Sequence, residues 1–208
     1  MSYIFEPFDD LDVMSNFMMI ALAGDPEIGD SFCRIIIRRL LNKDVGEISV
    51  KTERVLRPDN PENRGIRLDI EVDEYGDSET TGEAGKKPRA IVSIYDIEPH
   101  RQHENDFPKR NRFRQAVIDR KLVPSGAKNF ARMPELYIIN ILNYDPFGAD
   151  RMVYSIKHHC AEVPEICYDD GVMIFYFNTS GKKGGSEELR NFLRYLEESE
   201  QENVVDKD

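Results

Sequence analysis

Two acidic residues are placed where they could act together. Asp69 sits in the run Ile66-Arg67-Leu68-Asp69-Ile70-Glu71-Val72, and Glu98 closes a later apolar run, with Pro99 and His100 after it. The strict alternation of the first run predicts a strand with Ile66, Leu68, Ile70 and Val72 on one face. Arg67, Asp69 and Glu71 then share the other. A carboxylate on one strand and a second at the end of its neighbour can hold one divalent cation between them. Magnesium takes oxygen ligands and keeps several waters, so two side-chain acids are often all the protein supplies. Glu98 and His100 are two apart and share a face, and the Pro99 carbonyl offers a backbone oxygen. A metal held there lowers the pKa of a bound water and stabilises charge on a scissile phosphate. His100 could exchange a proton with that water near neutral pH. On spacing alone, a surface pair of Asp69 with Arg67 is the more ordinary reading.

The elements that must position these residues are legible in the periodicity. Residues 9–23 read as a helix capped by Asp9 or Asp10, with Leu11, Met14, Met18 and Leu22 on one stripe. Gly24-Asp25-Pro26 breaks it and starts a second helix to about residue 42, with Phe32, Ile35, Ile36 and Leu40 inward and Arg34, Arg38 and Arg39 outward. From Gly46 the period becomes two, giving strands over 47–56, 66–72 and 89–97. The third is apolar on both faces, as a central strand covered on both sides would be. The polar stretch GDSETTGEAGKKP between the last two reads as a hairpin tip. A helix over 106–122 follows, with Phe113, Val117 and Ile118 inward and its basic residues largely outward. Strands over 136–142, 152–156 and 172–177 and an amphipathic helix over 187–196 complete the order. The expectation is a mixed α/β chain, with residues 1–198 as a single domain and 199–208 as an acidic, disordered tail.

Composition sets limits. The chain has 208 residues, 40% hydrophobic and 32% charged, an ordinary globular balance. No run approaches a membrane span, and the N-terminus lacks the pattern of a secretion signal. Three cysteines without CxxC spacing suit free thiols in a reducing cytoplasm, so a cytoplasmic location is expected. A net charge of −11 argues against a polyanionic partner, but the last twelve residues hold six acids and one lysine. Residues 101–114 are locally basic, carrying Arg101, Lys109, Arg110, Arg112 and Arg114 against Glu104 and Asp106. Other clusters carry less. His100 and His103 are three apart and fall on opposite faces of an extended chain. His158-His159 beside Cys160 reads as a solvated strand end. Gly181-Lys182-Lys183-Gly184-Gly185 resembles a phosphate cradle in composition only, without the spacing of a nucleotide loop.

Six segments in order add a further expectation. They are Ser15-Asn16-Phe17-Met18, Ile66-Arg67-Leu68-Asp69-Ile70, Tyr95-Asp96-Ile97-Glu98, Pro108-Lys109-Arg110-Asn111-Arg112-Phe113-Arg114-Gln115, Asn143-Tyr144-Asp145-Pro146-Phe147-Gly148 and Phe177-Asn178-Thr179-Ser180-Gly181. With these the chain resembles, over nearly its whole length, the PD-(D/E)XK nuclease family transposases, also called the recombination-promoting nuclease or putative transposase family. The resemblance implies a restriction-endonuclease-like core, a mixed central sheet flanked by helices, and magnesium- or manganese-dependent hydrolysis of DNA phosphodiesters. It gives Asp69 and Glu98 the two metal-ligand positions and places Gln115 near the site. Arg67, Lys109, Arg110 and Arg112 become candidates for phosphate contacts. DNA is the implied partner, with no membrane and with a homodimer left open. The chain departs from the family pattern at His100, where relatives carry Gln or Lys, and at Ser15, where many carry an acid. Asp12 is the nearest replacement for that acid, and a nuclease-fold protein without cleavage is the alternative.

Overall fold

The computed structural model describes residues 12–58, 60, 62, 64–77, 89–103, 105–123 and 130–198. Their elements are α1 (Asn16–Gly24), α2 (Gly29–Leu41), β1 (Glu47–Leu56), β2 (Ile66–Asp77), β3 (Arg89–His100), α3 (Phe107–Leu122), β4 (Glu135–Leu142), β5 (Val153–Ile156), β6 (Val172–Asn178) and α4 (Glu187–Glu197). The order and type agree with the periodicity. The expected caps Asp9 and Asp10, Leu11, most of the hairpin tip and the acidic tail lie outside the described residues.

Six strands form one mixed sheet in the order β1-β2-β3-β4-β6-β5. The β1–β2 and β2–β3 pairs are antiparallel, β3–β4 and β4–β6 are parallel, and β5 closes the edge antiparallel to β6. Parallel neighbours need a crossover, and α3 provides the one between β3 and β4. The sheet is covered on both faces, so β4 reads as a continuous apolar run with Leu136, Ile138, Ile139, Ile141 and Leu142 all buried. Burying each such side chain stabilises the fold by about 1.5–3 kcal/mol. One face packs Ile70, Val72, Tyr95, Ile97, Ile139, Ile141 and Phe177 against α1, α2 and α4. The other packs Leu68, Ile94, Leu136 and Ile138 against Ile118 of α3, with Phe107 on Leu142 and Tyr176 beside them.

Three expectations are corrected. Helix α1 begins at Asn16, because Asp12 through Ser15 form a turn in which the Asp12 carboxylate accepts the Ser15 N–H at 2.9 Å. Helix α2 begins at Gly29, since the Asp25 carboxylate caps the preceding turn through the Glu27 and Ile28 N–H groups. Its buried stripe is Cys33, Ile36, Ile37 and Leu40, which turns Ile35 outward to 47% exposure. The alternation of β2 also fails at one point. Ile70 and Val72 face the α1–α2–α4 side, whereas Leu68 and Ile66 pack on the α3 side. The reason is local. The β2–β3 ladder starts only at Ile70↔Ile97, and across β1 the residue between the Thr52↔Ile70 and Arg54↔Leu68 pairs, Glu53, takes a left-handed φ of 51°. Such a residue twists the strand and resets its facing, as a bulge does.

Candidate active site

The point where β2 parts from β3 is the point where the two candidate acids meet. With no ladder partner on β3, the Asp69 N–H donates to Glu98 Oε1 at 2.9 Å. Asp96, Glu98 and His100 follow one another at a spacing of two and share the α3 side of β3. Pro99, between them, is buried in the ladder in register with Ile141. Helix α3 crosses over this end of the sheet and sends Arg114 down onto it. Arg114 Nε donates to Asp96 Oδ2 at 2.9 Å, its Nη2 ion-pairs with Glu98 Oε1, and the same Nη2 reaches the Arg67 carbonyl at 3.3 Å. From α1, Asn16 Nδ2 donates to Asp69 Oδ2 at 2.8 Å, while Arg67 Nε stands 3.8 Å from Asp69 Oδ1.

The electrostatic balance of this cluster is uneven. Asp69, Asp96 and Glu98 are 7%, 0% and 2% exposed and share one buried guanidinium, Arg114, itself 3% exposed. Burial, then the charge of Asp96, raises the Glu98 carboxyl well above the ordinary range, and the pull of Arg114 does not offset this. Asp96 is raised by burial as well, although Arg114 draws it down and the two carboxyls share a hydrogen bond. Burial opposes the charge on Arg114, but Asp96 and Glu98 outweigh it and hold the guanidinium ionised. Among the described residues, Asp96 Oδ1 and Asn140 Oδ1 are buried acceptors without a hydrogen-bond donor. Asn140 lies in register with Glu98 one strand over. The cluster has more acceptors than donors and one acid more than its cations can neutralise.

A cavity of about 690 Å³ opens onto the cluster. Its lining includes Asn16, Asp69, Glu98, His100, Asp106 and Arg114, with Arg64, Arg67, Lys109, Arg110 and Phe113. Gly65 keeps the β1–β2 connection tight, since a Cβ there would stand 2.6 Å from the Leu56 carbonyl oxygen. His100 packs edge-on against Phe107, ring centres 4.9 Å apart.

Sequence-predicted residues divide accordingly. Asp69, Glu98, His100, Arg67, Lys109 and Arg110 come together on one cavity. Arg112 and Gln115 do not line it, Arg112 being exposed and Gln115 hydrogen-bonded to Asp119. Asp12 does not replace a first-helix acid here, because its carboxylate caps the turn before α1 and pairs with Arg101. Two side chains were misdirected by the sequence reading of α3. Arg114, expected outward, is buried, and Phe113, expected inward, is 40% exposed. Arg114, Asp96 and Asn16 are the residues the sequence reading left without a role. The signal for Arg114 was present as the stripe Phe107, Asn111, Arg114 and Ile118, which is the buried face of α3.

Among the described residues, no group of three or more His, Cys, Asp or Glu is arranged to hold a metal. Two carboxylates with water completing the shell fit magnesium. The glycine- and lysine-rich loop is not a cradle, since the Lys182 and Lys183 N–H groups both donate to the Asp150 carbonyl. No helix of the described residues is long and apolar enough to cross a membrane. No family model, curated protein or solved structure matches this chain.

Proposed function

We propose that the chain is a metal-dependent DNA endonuclease on a restriction-endonuclease-like core, related to the transposon-type nucleases its motifs resemble. The observation that carries this reading is the convergence of Asp69 and Glu98 where β2 and β3 part, on a cavity lined by five cations. Asp69 and Glu98 would hold magnesium or manganese, with the Pro99 carbonyl as a candidate backbone ligand. The ion, when bound, would lower the pKa of a coordinated water and offset charge at the scissile phosphate. Asn16 fixes the rotamer of Asp69 through its 2.8 Å hydrogen bond. Arg114 orients Glu98 from the opposite side. His100, two residues past Glu98, takes or returns the proton of the attacking water. Arg67, Lys109 and Arg110 hold the phosphate by charge, a positioning role without base readout.

Nicking of supercoiled plasmid in magnesium or manganese tests the proposal. Cutting is expected from the native chain, falling about 100-fold or more in Asp69→Ala and Glu98→Ala, on the scale of losing a principal electrostatic group. A native chain that leaves the plasmid intact at every pH tried would overturn it.

One observation favours a second reading. The Arg114 guanidinium already sits on Glu98 and Asp96, as a cation would. A lapsed nuclease fold that binds DNA or assembles with partners would keep that network and show DNA binding without cutting.

A further inference from the structure

We propose that the candidate cleft is the deep end of a longer groove that binds single-stranded DNA, with Phe113 as the platform on which one base stacks. The inference rests on the nuclease reading for the identity of the polymer and adds the form in which it is bound. Beyond the first cavity lies a second hollow of about 300 Å³, whose lining includes Arg57, Arg64, Phe113, Arg120 and Lys121. Arg64 and Phe113 line both, so the two adjoin. Arg57, Pro58 and Arg64 form one wall and α3 the other.

Charge along this groove runs against the charge of the chain. Arg57, Arg64, Arg67, Lys109, Arg110, Arg114, Arg120 and Lys121 line it, eight of the 28 lysines and arginines of a chain whose net charge is −11. The facing acids, Asp69, Glu98 and Asp106, are all in the first cavity, and none lines the second. From Lys109 to Lys121 the helix advances about 18 Å, at about 1.5 Å per residue. That spans about five nucleotides at the rise of one strand.

Phe113 decides the form of the strand. Its ring stands 40% exposed at the junction of two cationic stretches. An aromatic face set in a positive groove is the arrangement that binds unpaired strands, because any base can stack on it. A closed duplex keeps its bases stacked within and offers that ring nothing. The acids also lie deep, at 7% and 2% exposure, where a strand free of its partner reaches more easily than a rigid helix.

Fluorescence anisotropy with a labelled oligothymidylate and a labelled hairpin duplex, both in EDTA, tests this without interference from cutting. The native chain should prefer the single strand, with affinity falling as salt rises. Phe113→Ala should weaken single-strand binding by about 5- to 150-fold, the range for one lost base stack, and leave duplex binding nearly unchanged. Phe113→Trp should retain it, which separates loss of stacking from loss of fold. Arg57→Ala with Lys121→Ala should flatten the salt slope by about 1.4. Preference for the duplex, or single-strand affinity indifferent to Phe113→Ala, would overturn the groove. If the Phe113-dependent preference holds while plasmid is never nicked, only the nuclease reading falls. If plasmid is nicked and Phe113→Ala binds the single strand normally, only the groove falls.

Discussion

Glu74 and Glu98 are both buried glutamates of the β2–β3 hairpin, 9% and 2% exposed, and they sit in opposite conditions. Glu74 Oε1 accepts the Gly46 N–H at 2.9 Å, and Oε2 accepts the Tyr95 hydroxyl at 2.7 Å. Lys43 Nζ lies 3.8 Å away and 4.6 Å above the Tyr137 ring, a cation held between an acid and an aromatic face. Burial works against the charge of Glu74, but the Gly46 and Tyr95 donors and then Lys43 outweigh it and lower its pKa. At Glu98 the balance runs the other way, because Asp96 and Asp69 share its one buried guanidinium and the carboxyl is raised. A buried acid that is fully served by donors stabilises a fold. One that shares its cation with neighbouring acids holds its proton more tightly, and that difference separates Glu98 from Glu74.

The largest effect on stability is expected at Arg114. Arg114→Ala should cost about 3–5 kcal/mol, since it leaves Asp96 and Glu98 buried without a countercharge. The measurement is a lowered urea midpoint at unchanged m. Arg114→Lys should recover only part, because an ammonium cannot reproduce the two-armed contact. A near-neutral Arg114→Ala would mean that the guanidinium is not what balances the cluster.

Exchanging each glutamate for its amide sharpens the contrast. Glu74→Gln should cost about 2 kcal/mol at neutral pH, because donors that served a carboxylate lose its charge. With a folded pKa below that of the unfolded chain, Glu74 stabilises above about pH 4.3, and the contribution is lost as pH falls through the folded value. The cost of Glu74→Gln should therefore vanish in acid. Glu98→Gln should cost less than about 1 kcal/mol, because an amide can still donate toward Asp96 in place of the retained proton. Equal costs at the two positions in urea titrations would remove the distinction. The smallest effect is expected for Asn16→Ala, about 1 kcal/mol for one hydrogen bond to Asp69, read as a shift of thermal midpoint.

The sequence was most informative where one force set the pattern. Apolar periodicity gave the order of helices and strands because burial of one stripe or one face dominates their energetics, as in β4 and α4. It failed where geometry between elements decides. The facing of Leu68 depends on the left-handed Glu53 across the ladder, which alternation along β2 alone does not register. Arg114 looked like part of a solvated basic strip, because a charged residue is assigned outward unless its partner is known. Its partners, Asp96 and Glu98, are on a strand sixteen or more positions earlier. The parity of Asp96, Glu98 and His100 was readable from the chain. The role of Asn16 was not, because nothing local to α1 points to Asp69, 53 residues away.

Calorimetric titration of magnesium or manganese into the native chain, Asp69→Ala and Glu98→Ala tests most directly whether the acid pair is short of a cation. Binding is expected at millimolar metal in the native chain only, with a heat that changes with the buffer because a proton leaves the acid cluster as the ion enters. No heat from the native chain, or the same heat from all three proteins, would contradict it.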